Sequence, residues 1–407
     1  MQPVPAFAPD RITNSPEPGR IRSIDVFRGL TMAVMIFVND LAGVKGLPWW
    51  TYHIDPQKSG MTYVDVVFPA FLFILGMSIP LAVQRRLDRE KSMAGLWRHI
   101  LTRSISLIVL GVVLANVHNV DSAATRLQPG TWGALALTGA ILFWLAYPSE
   151  PDNRRKVFTS LRWAGFALLV AMLAIFRRRT DAGELAWLDF SYWEILGLIG
   201  RVYLAVCIVY VPFRKRAWAP VAFLAAFIAW NIGSRLGMPR VTAFLPYWVW
   251  PFDSGELPSI ALAGIVCTSI FARTGSDFRC KAARALAYAA ALFGCGLACA
   301  SMGISKNAAT PTWCLYSAAI SVLLFLGIYY AVDVRGWRDW ASFAKPAGSN
   351  TLLTYLLPDL FYFICGSAYA AVTWQTGGLG VLRSIVFTGS VLGISALLTK
   401  ARIRIQL

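Results

Sequence analysis

His53 stands in a short polar loop, WWTYHIDP, between two apolar runs. Ionisable residues lie in or beside both runs: Asp25, Arg28 and Asp40 in the first, Asp65 in the second. Charge in or next to hydrocarbon is costly and is kept mainly for function. Histidine titrates near neutrality and is suited to deprotonating an amine or hydroxyl nucleophile. A nearby carboxylate, Asp65 or Asp40, would orient the ring. His118, in ANVHNVD, returns to the same side as His53 and is a second candidate, whereas His99 follows a basic loop and reads as surface. Trp49, Trp50 and Tyr52 precede His53. They fit an interfacial aromatic belt, and they would equally suit a platform for a sugar ring.

Asp25 and Arg28 are three apart and can pair on one helix face. With Arg22 they read either as a snorkelling helix end or as a receptor for a polyanionic cosubstrate. Asp253 and Glu256, and then Lys306 and Asn307 in GISKNAATPTWCLY, return to the His53 side, while Lys345 and Asn350 open a late span on the other side. There is no GxSxG, Walker A or HExxH pattern, and the seven cysteines have no ligand spacing, so no metal is expected.

The elements that must position these groups are membrane helices. The chain has 407 residues, 57% hydrophobic and 14% charged, against roughly 25% charged in soluble domains. Apolar runs near twenty residues, long enough for about 30 Å of hydrocarbon, recur at about 24–43, 62–84, 99–117, 131–147, 160–176, 193–212, 217–233, 257–272, 283–303, 312–332, 348–366 and 379–399. The expected fold is therefore an all-α polytopic membrane protein of about twelve transmembrane helices, residues 21–407 forming one domain behind a Pro-rich disordered tail, 1–20, that lacks a signal peptide. Basic loops after spans two, four, six and eight, and at the C-terminus, place both termini in the cytoplasm by the positive-inside rule. Arg177, Arg178 and Arg179 fall on the opposite side, which counts against the 131–176 pair as crossing helices. The net charge of +17 is mostly a topology signal, dispersed over loops in a way that argues against a nucleic-acid partner.

The segments RIRSIDVFRGLTMAVMIFVND and GMTYVDVVFPAFLFILGMSIP, with the loop histidine between them, closely resemble the opening hairpin of the heparan-α-glucosaminide N-acetyltransferase family. Further resemblance follows in order in YWEILGLIGRVYLAVCIVYV, WPFDSGELPSIALAGIVCTSI, GISKNAATPTWCLYSA and AGSNTLLTYLL. The resemblance implies a ten-helix acyltransferase-like core, with 131–176 as an inserted pair. It also implies transfer of acetyl from cytoplasmic acetyl-CoA to the amine of a glucosamine-type sugar across the membrane. His53 and Asn39 fall on the family's catalytic histidine and the asparagine ending the preceding span, and Asp65 on its carboxylate. Lys306 and Asn307 fall on a Lys-Asn pair, and Asn350 on the asparagine opening the penultimate span.

On that footing, Arg22, Asp25, Arg28, Lys345 and Asn350 would hold the donor, and Asn39 would meet the oxyanion. Trp50, His118, Asp253, Glu256, Lys306 and Asn307 would meet the acceptor. Transfer is either direct or through an acetyl-histidine. The expected partners are acetyl-CoA, an amino sugar and the lipid bilayer; a homodimer is left open. The family's large lumenal N-terminal domain has no counterpart here, which favours a bacterial cytoplasmic membrane over a lysosome. The rival readings are a secondary transporter of a sugar or peptidoglycan fragment and an O-acyltransferase of a surface glycan.

Overall fold

A run of apolar residues placed in hydrocarbon must bond every backbone N–H and C=O internally, and a helix does this within one segment. The computed structural model describes residues 21–407 apart from 148–151, 191–193, 240–241, 243, 248, 253, 274–276, 338 and 373. The tail 1–20 and Asp253 lie outside the described residues. Among those described, twelve helices have 16 residues or more: α1 (Arg22–Leu41), α2 (Val64–Glu90), α3 (Met93–Asn116), α4 (Pro129–Trp144), α5 (Asp152–Ile175), α6 (Ile195–Phe213), α7 (Ala219–Arg235), α8 (Glu256–Phe271), α9 (Phe278–Ala298), α10 (Pro311–Tyr329), α11 (Thr351–Ala370) and α12 (Gly377–Lys400). Each matches one apolar run of the sequence. Seven of the helical segments are long and apolar enough to cross a membrane. This is a multi-pass membrane protein.

The centre is the α2–α8 crossing. Helix α8 is buried on nearly every side, as a helix apolar all round must be. It meets α2 backbone to backbone: a Cβ on Gly76 would strike the Ala261 carbonyl, and one on Gly264 the Phe73 carbonyl. Small residues let membrane helices approach this closely where solvent supplies no hydrophobic drive. The Thr268 hydroxyl adds a bond to the Met77 carbonyl at 2.9 Å.

Both helices of the 131–176 pair form. Helix α5 lays a stripe of Gly165, Leu169 and Met172, continued by Phe176, against α4, and the Trp132 indole of α4 donates to the Met172 carbonyl at 2.8 Å. The three arginines that break the positive-inside pattern are held down. Arg179 pairs with Asp121 at 2.6 Å and Arg178 with Asp189 at 3.7 Å, while Arg177 donates to the carbonyls of Ala174 and Phe176. Arg178 and Arg179 form one strand, β1, of a two-stranded antiparallel hairpin completed by β2 (Leu185–Ala186).

The connecting segments gather at two ends. At one, the Asp333 carboxylate accepts from the amides of Arg22 and Ser23 at 3.2 and 3.0 Å, Asn350 reaches Ile403, and Ala146 donates to the Arg404 carbonyl. At the other, Lys45 pairs with the segment at Gln375, and Gly60 with Ile304. His53 belongs to this second end.

Candidate active site

Thr62 and Asp65 open α2. The Asp65 carboxylate reaches back to the Thr62 amide at 2.9 Å and hydroxyl at 3.3 Å, an arrangement of the capping-box kind that satisfies a donor the helix leaves open. The same oxygen accepts the Ile54 amide at 3.3 Å, and the other, Oδ1, faces His53 Nδ1 at 2.6 Å. Asp65 is 1% exposed, so these bonds fix it in one place.

Four residues on, Pro69 has no N–H to give the Asp65 backbone carbonyl. The Trp313 indole supplies that donor at 3.3 Å. Trp313 is the third residue of α10 and 1% exposed, so this bond ties the start of α10 to the start of α2 and brings the loop before α10 over His53.

That loop is internally braced. Ser305 and Thr310 exchange bonds, the Thr310 hydroxyl accepting the Ser305 amide at 3.1 Å and the Thr310 amide donating to the Ser305 carbonyl at 3.1 Å. Asn231 of α7 donates to the Ala309 carbonyl at 3.3 Å. The His53 loop docks on it through Gly60 N–H to the Ile304 carbonyl and Ile304 N–H to the Ser59 hydroxyl, both 2.9 Å. On its own side the loop is held by Tyr52, whose hydroxyl donates to the Val44 carbonyl at 2.6 Å and whose carbonyl accepts the Thr62 hydroxyl at 2.8 Å.

The result is a three-residue cluster. Asp65 holds Nδ1 of His53, and Lys306 Nζ stands beside the ring, 3.2 Å from Nε2 and 3.3 Å from Nδ1. With Nδ1–H directed at the carboxylate, the Nε2 lone pair is the free base of the neutral ring. Burial pushes the Lys306 ammonium below the usual lysine range, against the upward pull of the Asp65 carboxylate. Around the set is a cavity of about 310 Å³ lined by His53, Ile54, Asp55, Asp65, Lys306 and Asn307, among others. The His53 side chain is 44% exposed. A carboxylate-oriented imidazole beside a cation can take a proton from a nucleophile and stabilise an oxyanion.

Five expected site residues lie elsewhere. Asp40, one of two carboxylates expected to orient the imidazole, is 5% exposed and accepts from Tyr362, Tyr369 and Ser384, with Arg383 at 3.5 Å; of the two, Asp65 is the one that meets the ring. Asn350 is 3% exposed and joined to Thr399 and Ile403, a helix-start brace with no side-chain atom left facing a donor molecule. Arg28 bonds Asp25, the Gly348 carbonyl and Ser78, so it and Asp25 brace α1. His118 is exposed in the turn Val117–Asn119 and does not line the His53 cavity.

Asn39, exposed in the last turn of α1, is also outside that cavity. Glu256 turns its carboxylate to Ser254, at 2.7 and 2.8 Å, and Trp50 stands beside Tyr63 with ring centroids 6.3 Å apart. At the opposite end Arg22 is half-buried and Lys345 exposed. The α1 N-terminus between them already carries the Asp333 carboxylate where a phosphate would otherwise sit. The sequence reading passed over two features: Trp313, whose only signal was the proline four residues after Asp65, and the Glu194–Tyr355 bond linking the start of α6 to α11.

The model of a family described as a domain of unknown function (DUF5009) matches residues 20–239, more than half of the chain. The chain belongs to that family. The family's match carries His53 and Asp65 and ends before Lys306. The chain is also similar to the heparan-alpha-glucosaminide N-acetyltransferases of Homo sapiens and Mus musculus, 35% identical over 124 and 122 residues respectively. The aligned stretch is 30% of this chain and 17% of each relative, so it spans about a sixth of their length.

Proposed function

We propose that the protein is a membrane acetyltransferase that moves acetyl from acetyl-CoA to the amine of a glucosamine-type sugar. The observation that carries this is the Asp65–His53–Lys306 set in an open cavity, in a chain similar to N-acetyltransferases. As the acceptor amine enters, it replaces Lys306 at Nε2. His53 removes the amine proton while the nitrogen attacks the thioester carbonyl. Lys306 and Asn307 donate to the oxyanion of the tetrahedral adduct, a contribution worth about 10²–10³ in rate per donor in comparable sites. Collapse breaks the C–S bond, and the imidazolium returns its proton to the departing CoA thiolate. Asp65 keeps Nδ1–H in place and stabilises the imidazolium.

The nucleotide phosphates meet Arg22 and Lys345 at the opposite, cytoplasmic end. The acceptor arrives from the periplasmic face of a bacterial cytoplasmic membrane, and the twelve helices all cross. The test is CoA release by the purified protein in vesicles against a panel of amino sugars and their hydroxyl counterparts. The expected result is N-acetylation of an amino sugar, reduced roughly 10²–10⁴-fold in His53→Ala. Uptake of labelled sugar with no CoA release would replace this reading with a transporter, and acetylation of hydroxyls alone with an O-acyltransferase.

A further inference from the structure

A second cavity, about 510 Å³, lies between α11 and α12 and is independent of the acetyl-transfer reading. Its walls are apolar, with Leu360, Ile364, Val386 and Ile394 along its length, and Trp374 and Arg383 lie towards the His53 end. From Arg383 to Ile394 the α12 wall runs eleven residues, about 16 Å at 1.5 Å per residue. That is close to half of a roughly 30 Å hydrocarbon core, so the groove has the length of one leaflet.

Arg383 sets this groove apart from an ordinary lipid-facing surface. Its side chain is only 10% exposed, and its Nε has no hydrogen-bond partner among the described residues. Asp40, its ionic neighbour, does not need it. Oδ1 accepts the Tyr362 and Tyr369 hydroxyls at 2.7 and 2.9 Å and Oδ2 the Ser384 hydroxyl at 2.6 Å, while the guanidinium stands off at 3.5 Å with its plane near the Tyr369 ring. An unbonded guanidinium N–H in hydrocarbon is expensive, and the leucine, isoleucine and valine of the walls offer it no acceptor, which leaves the Tyr369 and Ser390 hydroxyls as the polar groups beside it in the groove. Arg383 is the seventh residue of α12, about 9 Å along the axis from the helix start. At that depth an arginine can reach the phosphate and ester oxygens of a lipid.

We propose that this groove is a phospholipid site, in which one acyl chain of an anionic glycerophospholipid lies along α11 and α12 and its phosphate is received by Arg383. Because Asp40 closes α1 just before the His53 loop, the lipid would brace the hairpin that carries His53 without touching the cavity.

The test uses the full chain in detergent micelles carrying equal amounts of phosphatidylglycerol and phosphatidylethanolamine, with lipid retained after delipidation counted by native mass spectrometry. The wild type is expected to keep one phosphatidylglycerol in preference to phosphatidylethanolamine. Arg383→Gln should lose that preference by roughly tenfold or more, the effect of removing a hydrogen bond to a charged group. Ser390→Trp, which fills the groove and leaves Arg383 and Asp40 in place, should lose the lipid while melting normally. Equal retention of the two lipids by the wild type, or full retention in Ser390→Trp, would overturn the proposal. An Arg383→Gln chain that fails to fold leaves the Ser390→Trp comparison to decide.

Discussion

At the scale of the residue, Lys306 decides how the site responds to pH. Its ammonium is held below the usual lysine range by burial. If the charged form serves the oxyanion, activity falls as pH rises through that lowered value, before the 10.5 of a free lysine. In Lys306→Arg the guanidinium stays charged throughout, so the alkaline limb of kcat/KM should move upward even where the maximum rate drops. A limb that stays in place assigns the titration to another group. The stability sign is the opposite of a salt-bridged lysine's. Folding disfavours the charged form, so Lys306 contributes a rise in stability between its lowered folded pKa and the unfolded value, and Lys306→Met should remove that alkaline rise from a denaturation-versus-pH series.

The candidate site was only partly legible in the residue types. His53 and Asp65 are twelve apart and flank one turn, so their meeting was within reach of a sequence reading. Lys306 is 253 residues from His53; the order of spans put it on the same side, but only resemblance singled it out, because periodicity carries no record of which helix packs on which. Asp40 misled for a physical reason: a carboxylate near a helix end looks the same in sequence whether it faces a substrate or three hydroxyls on other helices.

Among elements, the helices themselves were the most legible feature, since each of the twelve long helices carries its own apolar run. The disagreements sit where hydropathy has nothing to report. Helix α2 continues past residue 84 to Glu90 on polar pairs, Arg86 with Glu90 at 3.0 Å and Gln84 with Asp88 at 2.7 Å, the i,i+4 contacts that sustain a helix in water. Helix α5 likewise starts at Asp152, eight residues before its apolar run. The α2–α8 crossing rests on absent side chains. Gly264→Leu should cost at least about 1–3 kcal/mol through overpacking, read as a fall in melting temperature in detergent. Trp313→Phe keeps an aromatic ring but removes the N–H on the Asp65 carbonyl and, with the pyrrole ring, some buried volume. It should cost at least about 0.5–1.5 kcal/mol for the hydrogen bond, with a further cost for the void, and lower kcat more than it raises KM; a KM effect alone would place Trp313 at the acceptor and not behind Asp65.

For the whole molecule, the question is which end faces which compartment. Basic residues cluster in the connections at the Arg22 end, and the exceptions at Arg177–179 are paired or bonded to carbonyls. A single cysteine at Pro56, beside His53, and another at Lys345 should therefore react with a membrane-impermeant maleimide from opposite sides of sealed vesicles, Pro56→Cys from outside the cell. Labelling of both from one side would rule out transfer across the membrane.

The bond between Gly60 and Ile304 also bears on how the protein is made. His53 and Asp65 leave the ribosome in the first hairpin, and the loop with Lys306 follows 253 residues later. At about 5–20 residues per second the interval is roughly 13–50 s. Until α10 is inserted, the imidazole has its carboxylate but neither its cation nor the loop that closes the cavity. The nascent chain therefore sits in the bilayer with an exposed histidine and an incomplete site, and it gains its chemistry only when four-fifths of the protein is in place.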